Sequence, residues 1–395
     1  MTRPDLFILC NALADDVRID RGITTDSPAA TRKVAMMANI IRLAGVRPCI
    51  LSLGRGRQDG SGRYFRSRVG RIRGVPTVYG PLLHRPILSE LLSFWAPIPA
   101  LWRQRGRART TLLLIYNRMP AYLPAIWFAR FLGYRLALDL EDGETNLRGW
   151  NPAAIKARAL TFLTDRACTS GALLACRALS SATHLQPQLA YYGVVASTAP
   201  ALRFKGPIIS LLLGGTVSPS TGSDLLAHAI EALRERDEVW SRSLCLHVTG
   251  AGESLRNFDY LAATNGRGPV VTVHGRLDNI GYDDLLMKMD VGLALKPNSG
   301  ALAHTTFPSK VVEMASAGLL VLSTDISDVR EVLGDGAMYL EHDNSDLLIT
   351  RLRAIAENPQ HAAVIAQRGT RAAAARCAPD QAGMALRRFL FPEVA

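Results

Sequence analysis

The stretch Phe307-Pro-Ser-Lys-Val-Val-Glu-Met-Ala-Ser-Ala-Gly-Leu-Leu-Val-Leu-Ser-Thr-Asp325 gathers residue types able to hold a nucleotide. Pro308 presets φ for the first turn of a helix. Ser309 and Lys310 then stand where free backbone N–H groups and the helix dipole favour an anion. A lysine there opposes the dipole, and a diphosphate would explain it. Glu313 follows three residues later on the same face, a carboxylate placed for ribose hydroxyls. Gly318 stops the helix, and Leu319 to Leu322 reads as a buried strand. The other dense feature is Arg135-Leu-Ala-Leu-Asp-Leu-Glu-Asp-Gly-Glu144, a strand running into four carboxylates. Strand carboxyl ends are where α/β enzymes place chemistry. Two readings stay open. Glu141 orients or deprotonates a hydroxyl, or Asp139 and Asp142 cap the next turn and Glu141 is solvated. A metal there lacks a partner histidine, and none is expected.

These groups need a scaffold. Leu6–Cys10, Pro48–Leu53, Leu112–Tyr116, Arg135–Leu140 and Gly171–Cys176 read as strands, with helical patterns such as Ala29–Ala44 and Pro124–Leu132 between them. Residues 208–213, 244–249, 270–274, 291–295, 319–323 and 337–340 repeat the alternation. Such alternation predicts parallel sheets with helices on both faces. Ala196–Gly206, with Pro200 and Pro207 nearby, is the linker candidate. The expected architecture is α/β, two doubly wound Rossmann-like domains facing a cleft, with ligands at the carboxyl ends of the strands.

The C-terminal motifs resemble family-4 glycosyltransferases, of the group 1 type, which have the two-domain GT-B fold. Phe307–Asp325 resembles the family's donor-site signature. Leu213-Gly-Gly-Thr-Val-Ser-Pro-Ser-Thr-Gly222 is similar to its glycine turn, Gly250-Ala-Gly-Glu253 to its second turn and Val273-His-Gly-Arg276 to its next strand end. Val329-Arg-Glu-Val-Leu333 is similar to the helix after Asp325. The resemblance is strong over 205–375 and weak before it. It implies an acceptor-binding domain over 1–200, a nucleotide-sugar domain over 206–375, and a tail, 376–395, whose helix crosses back to the first domain. Donor contacts are implied at Gly214, Gly215, Thr216, Gly250, Gly252, Arg276, Thr305, Ser309, Lys310 and Glu313. The loop Arg18–Lys33 resembles the family's acceptor loop, with one glycine, Gly22. It implies an acceptor contact at Asp26, with Asp142 a second. By strand alignment Glu141 holds the place of the family's histidine. Ser27 and Pro28 also suit a helix cap and first residue.

The chain departs from the family's pattern. The arginine and lysine of the glycine turn are replaced by Thr216 and Thr221, so Lys310 and Arg276 are the substitutes, with Lys296 possible in a loop that also suits a solvated turn. The first of the family's paired glutamates falls at Thr305, while Glu313 matches the second. His304 could meet the sugar or be a plain loop residue, and His84 is a remote catalytic alternative.

Charge bears on the partner. Residues 1–205 carry 29 Lys and Arg against 12 Asp and Glu, a net +17, while the remainder carries 17 against 22, a net −5, giving the chain's +12. Arginines cluster twice: Arg55, Arg57, Arg63, Arg66, Arg68, Arg71 and Arg73, then Arg103, Arg105, Arg107 and Arg109. A solvated surface, an anionic lipid surface at ~1 kcal/mol per basic residue, and nucleic acid are the three readings. No recognition motif accompanies the last. Pro86–Trp102 is the most apolar stretch, broken by Pro97 and Pro99, and reads as an interface-lying segment or as a core helix and loop. No run reaches the ~20 residues of a spanning helix. The start is not a signal peptide, and six scattered cysteines predict buried reduced thiols in the cytosol.

The expectation is a glycosyltransferase on the cytoplasmic face of a membrane. It would move a hexose from a nucleoside-diphosphate sugar to a lipid-linked or polysaccharide acceptor in capsule, exopolysaccharide or other cell-surface glycan synthesis. Retention at the anomeric carbon follows from the resemblance, and no cofactor is expected beyond the sugar nucleotide. The rivals are a GT-B sugar epimerase, a phosphorylase, and a non-catalytic member that binds nucleotide or a partner.

Overall fold

Apolar runs of Leu, Ile, Val and Ala become the parallel core of the first sheet. The computed structural model describes residues 3–24, 26–56, 63–142, 150–194, 203–299 and 303–392. The sheet's strands come from β1 (Leu6–Cys10), β2 (Pro48–Ser52), β3 (Tyr64–Phe65), β4 (Arg68–Ile72), β5 (Val75–Tyr79), β6 (Leu82–Leu83), β7 (Leu112–Tyr116), β8 (Arg135–Leu140), β9 (Ala172–Leu174) and β10 (Gln188–Ala190). Eight of them form one sheet in the order β10-β9-β8-β7-β1-β2-β5-β4, and β3 pairs with β6 apart from it. Every residue of β1 is buried, as a strand covered on both faces must be. β1 pairs in parallel with β2 (Leu6 opposite Pro48) and with β7 (Leu6 opposite Leu112). The order therefore reverses between β1 and β7, the switch point where doubly wound sheets open a crevice. The helices are α1 (Asp15–Asp20), α2 (Pro28–Leu43), α3 (Pro86–Trp95), α4 (Ile98–Arg103), α5 (Leu123–Phe131) and α6 (Pro152–Ala167). Ser27 caps α2, accepting from Ala30 N at 3.4 Å, with Pro28 as its first residue.

The second sheet is wholly parallel. It comprises β11 (Ile209–Thr216), β12 (Leu244–Ala251), β13 (Val270–Gly275), β14 (Val291–Ala294), β15 (Leu320–Thr324) and β16 (Ala337–Leu340). Their order is β13-β12-β11-β14-β15-β16, so the switch falls between β11 and β14. Around it run α7 (Ser223–Arg236), α8 (Leu255–Ala263), α9 (Asn279–Leu286), α10 (Lys310–Ser316), α11 (Val329–Leu333), α12 (Ser345–Glu357) and α13 (Pro359–Cys377). Leu211, Leu246, Val248, Leu322 and Phe258 are fully enclosed in its core.

The chain divides into two units, Met1–Gly193 with Asp380–Ala395, and Val194–Pro379. The division precedes the 196–206 linker candidate, whose residues 196–202 lie outside the described residues, as do Arg57, Gly143, Glu144 and Gly300. The return starts at Asp380 rather than 376, because α13 runs unbroken against α10 and α11 to Cys377. Pro379 then opens α14 (Pro379–Leu390). In the first unit, Arg387 Nη1 donates to Ala44 O at 3.0 Å and Arg135 Nη2 to Leu390 O at 2.9 Å.

Arg68 and Arg71 lie exposed on β4, antiparallel to β5. Arg68 is paired with Asp16 at 2.6 Å. The two-residue turn is Arg73-Gly74, both with positive φ (47° and 83°), the geometry that matches strand twist. Pro308 is not inside the helix: α10 begins at Lys310 with Ser309 as its N-cap, and Val311 N bonds Pro308 O at 2.9 Å in a preceding turn. All six cysteines are free, five buried and Cys245 half-buried. Among the described residues no helix is long and apolar enough to cross a membrane.

Candidate donor and acceptor sites

The donor motif is built at the second unit's switch point. β11 ends in Gly214-Gly215, and Gly215 has φ +109°. Its parallel neighbour places Gly250, φ +129°, directly opposite. A Cβ on Gly250 would lie 1.7 Å from Gly215 O, and one on Gly252 would lie 2.1 Å from Val217 O. The two turns therefore close on each other's backbone and require glycine.

Lys310 lies over this bare backbone. A Cβ on Gly215 would fall 2.8 Å from Lys310 Cε, and one on Gly214 would fall 3.3 Å from Nζ. The ammonium stands 5.0 Å from the ring centre of Tyr282 on α9. Tyr282 in turn donates to Glu313 Oε2 at 3.2 Å. One aromatic ring thus links the cation and the carboxylate, and sequence reasoning missed it. Gly318, φ +88°, ends α10 as expected: Leu319 N bonds Met314 O and Gly318 N bonds Ala315 O, both at 3.0 Å, the double closure of a left-handed cap.

The two threonines in place of the turn's cations have work of their own. Thr221 Oγ1 donates to Thr216 O at 2.8 Å and accepts from Ser218 N at 3.2 Å. They close the turn that leads into α7. Gly222 after them packs on Leu295 O, which a Cβ would meet at 1.8 Å. Lys296 is no solvated turn residue. It is half-buried and donates to Thr306, while Thr324 Oγ1 donates to Lys296 O. The lysine thereby ties the end of β14 to the segment entering α10. Arg276 is exposed at the carboxyl end of edge strand β13. Thr305 is half-buried, and His304 and Ser309 are exposed.

The first unit holds a separate charged cluster. Asp139 is the fifth residue of β8 and fully buried. It sits inside a strand and so does not cap a turn. Glu141 follows the strand and is not solvated, its side chain being only 15% exposed. Lys33, from the first turns of α2, pairs with Glu141 and lies 3.8 Å from Asp139. The Tyr191 ring centre is 5.4 Å from the ammonium. Burial pushes the Asp139 carboxyl well above its usual range, against the pull of Lys33. Burial works against charge on Lys33 too, but the carboxylates of Asp139 and Glu141 outweigh it and raise its affinity for a proton. The Tyr116 hydroxyl is held far above its ordinary value, first by burial and then by the same carboxylates. Asp142 is exposed and Asp26 half-buried. His84 is buried with its ring 5.2 Å from Phe65, beside the separate β3–β6 pair. The sequence did hold a signal for Lys33. It is four residues before Met37 and seven before Ile40, on the helix face that is otherwise core.

Arg21 was also missed. Its buried guanidinium donates to Gly54 O at 2.7 Å and Gly80 O at 3.0 Å, clamping the loops after β2 and β5.

Residues 208–358 match the family described as glycosyl transferases group 1. No curated protein sequence matches the chain. Solved structures are similar over nearly its full length. HepE of Anabaena in complex with UDP is 14% identical at a TM-score of 0.64, covering 98% of this chain and 99% of that one. WaaG, described as a glycosyltransferase involved in lipopolysaccharide biosynthesis, is 13% identical at 0.66, covering 98% and 100%. TarM is 8% identical at 0.67, covering 99% of each. The family match falls within the second unit, and the likeness to the solved structures gives the chain as a whole the GT-B fold.

Proposed function

We propose that the chain moves a hexose from a nucleoside-diphosphate sugar to a lipid-linked or polysaccharide acceptor. Its setting would be cell-surface glycan synthesis at the cytoplasmic face of a membrane, with the basic N-terminal half toward anionic lipid. The observation that carries this reading is Lys310 laid across the Gly214-Gly215 turn and coupled through Tyr282 to Glu313. A diphosphate over the turn would meet a cation and two backbones stripped of side chains, and Glu313 would take the ribose hydroxyls. HepE complexes with UDP and UDP-glucose support a sugar nucleotide as donor. On the acceptor side Glu141, oriented by its ion pair with Lys33, would hold the acceptor hydroxyl. Asp26 and Asp142 would line its approach. Retention at the anomeric carbon belongs to the same proposal, and no metal is invoked, since Lys310 supplies the opposing charge.

Thermal-shift titration with UDP, GDP, ADP and their sugars tests the donor half, because a ligand that binds only the folded state stabilises it by mass action. The expected result is one nucleotide raising the melting temperature in the wild type, and far less in Lys310→Ala and Glu313→Gln. Equal shifts in both variants would remove these residues from the donor site. Transfer itself is read with radiolabelled donor and lipid extract, and the anomeric configuration by NMR of the product.

Thr216 and Thr221 favour a second reading, a member that binds nucleotide without turnover, because neither brings a cation to the turn and the Thr221 hydroxyl is spent on closing it. Nucleotide binding with neither transfer nor donor hydrolysis across acceptors would establish it. An acceptor-independent UDP-sugar product would instead indicate an epimerase.

A further inference from the structure

Helix α3 is amphipathic the wrong way round. Ser89 and Ser93 are buried, and Ser93 Oγ satisfies itself on Ser89 O at 2.7 Å. Ile87, Leu91 and Trp95, at four-residue spacing, face outward at 77, 48 and 64% exposure. Glu90, the helix's one acid, lies off that line. A helix of a water-soluble face shows the opposite pattern. The neighbours extend it. α3 and α4 both pack on α5. Exposed Trp102 on α4 has its ring 6.2 Å from that of Phe128, and Phe131 on α5 is almost wholly exposed. Scattered apolar residues on a surface need no explanation, but a contiguous apolar face does.

Charge identifies what covers it. Immediately after α4, a hollow is lined by Arg3, Arg103, Gln104, Arg105, Gly106 and Arg107. Arg105 stacks over Trp102 at 4.3 Å, so the hollow borders the apolar face. Among the described residues, of its four guanidiniums only that of Arg107 has a carboxylate nearby, Asp5 at 3.4 Å. Large apolar side chains with tryptophans at the margin and arginines beside them match the boundary between acyl chains and anionic headgroups.

We propose that the α3–α4 face is the surface by which this protein docks on an anionic phospholipid bilayer. Ile87, Leu91 and Trp95 enter the acyl boundary, and the arginine hollow takes a lipid phosphate. This deepens the reading of a membrane-linked acceptor and rests on it only for its purpose. The interaction is hydrophobic at its centre, so it persists in salt that screens a purely electrostatic contact.

The test is co-sedimentation with phosphatidylcholine vesicles containing phosphatidylglycerol, against pure phosphatidylcholine. The combined variant Ile87→Ser, Leu91→Ser, Trp95→Ser is expected to lower partitioning by roughly a hundredfold, from the apolar area it removes. Arg103→Gln with Arg105→Gln should lower it about tenfold and flatten its salt dependence. All substituted positions are exposed, and hydrogen exchange in β1 and β8, measured in parallel, reports on folding of the first unit. Wild-type partitioning by the serine variant overturns the proposal. So does a wild-type dimer that the serine variant renders monomeric with vesicle binding unchanged, since the face would then serve a second copy. Equal wild-type binding to pure phosphatidylcholine removes the headgroup role of the hollow. Vesicle binding without any nucleotide binding would sustain this inference and sink the donor reading, and the reverse result would do the opposite.

Discussion

At the scale of single residues, the cluster of Lys33, Asp139 and Glu141 makes the sharpest demands. A charge enclosed at β8 is tolerable only while its partner remains, and removing one member of a buried pair typically costs about 3–5 kcal/mol. Lys33→Met should therefore destabilise the first unit by something near that range, read by urea denaturation. Adding Glu141→Gln to it should restore part of the loss, because the stranded carboxylate goes with it. An unchanged midpoint in Lys33→Met would mean that water reaches the cluster freely. For the proposed acceptor role, Glu141→Gln alone should cut transfer by a factor on the order of 10² to 10⁴ with nucleotide affinity intact. Asp142→Asn is the exposed control and should cost less. Transfer at the wild-type rate in Glu141→Gln would end that role. The sequence made the carboxylates visible as a run at a strand end. It hid their counter-ion, because Lys33 is 106 residues from Asp139 and only the packing of α2 against the sheet joins them.

Elements decide whether motif residues meet. The strands read from apolar runs sit where they were expected because both faces of each are covered, and continuous Leu, Val and Ile have no other folded use. The hairpin β4–β5 escaped because its turn is Arg73-Gly74 rather than Asn-Gly, and because Arg68 and Arg71 point to solvent where alternation would have marked a strand. The orientation of α3 escaped for a different reason. Periodicity finds an apolar stripe but does not say which side faces the protein. In the second unit the glycine turn offers a graded test. Gly215→Ala meets both a positive φ and Lys310 Cε at 2.8 Å, whereas Gly214→Ala meets only the flexible Lys310 Nζ and the Tyr282 ring at 3.3 Å. Nucleotide affinity should fall at least about tenfold in the former, through displacement of Lys310 together with ~1–2 kcal/mol of backbone strain, and less in the latter. Calorimetric titration of UDP reads both, and the reverse ranking would separate Lys310 from the nucleotide. Strand pairing also brings His247 and His274 together, Nδ1 to Nε2 at 3.0 Å. Burial first, then His274, depresses the His247 pKa below its ordinary 6.5. The unfolded chain thus binds more protons here than the folded one, so stability is held above pH ~6.5 and drains as pH falls through the folded value. Denaturation at pH 7 and pH 5 should show a loss that shrinks in His247→Gln.

On the whole-molecule scale, the division of labour is written in charge as well as in topology, the first 205 residues net +17 and the rest net −5. One consequence concerns the final helix, which sequence order places after the donor domain but which belongs to the first unit. Leu386 and Leu390 are completely buried and Phe391 nearly so. Gly383 lies against the α2 backbone, where a Cβ would come within 3.1 Å of Ile40 O. Truncation before Asp380 removes these side chains, each worth roughly 1.5–3 kcal/mol of burial. It also strips Arg387 from Ala44 O and leaves Arg135 without Leu390 O. The expected outcome is a first unit several kcal/mol less stable, with faster hydrogen exchange in α2 and β8. UDP affinity, set by Lys310, Glu313 and the glycine turns of the second unit, should stay within about twofold, since distant sites without shared partners act independently. Exchange rates by mass spectrometry and a UDP titration on the same truncated protein decide the matter. A truncated chain that loses nucleotide binding while α2 and β8 exchange as slowly as before would place the last helix in the donor machinery instead.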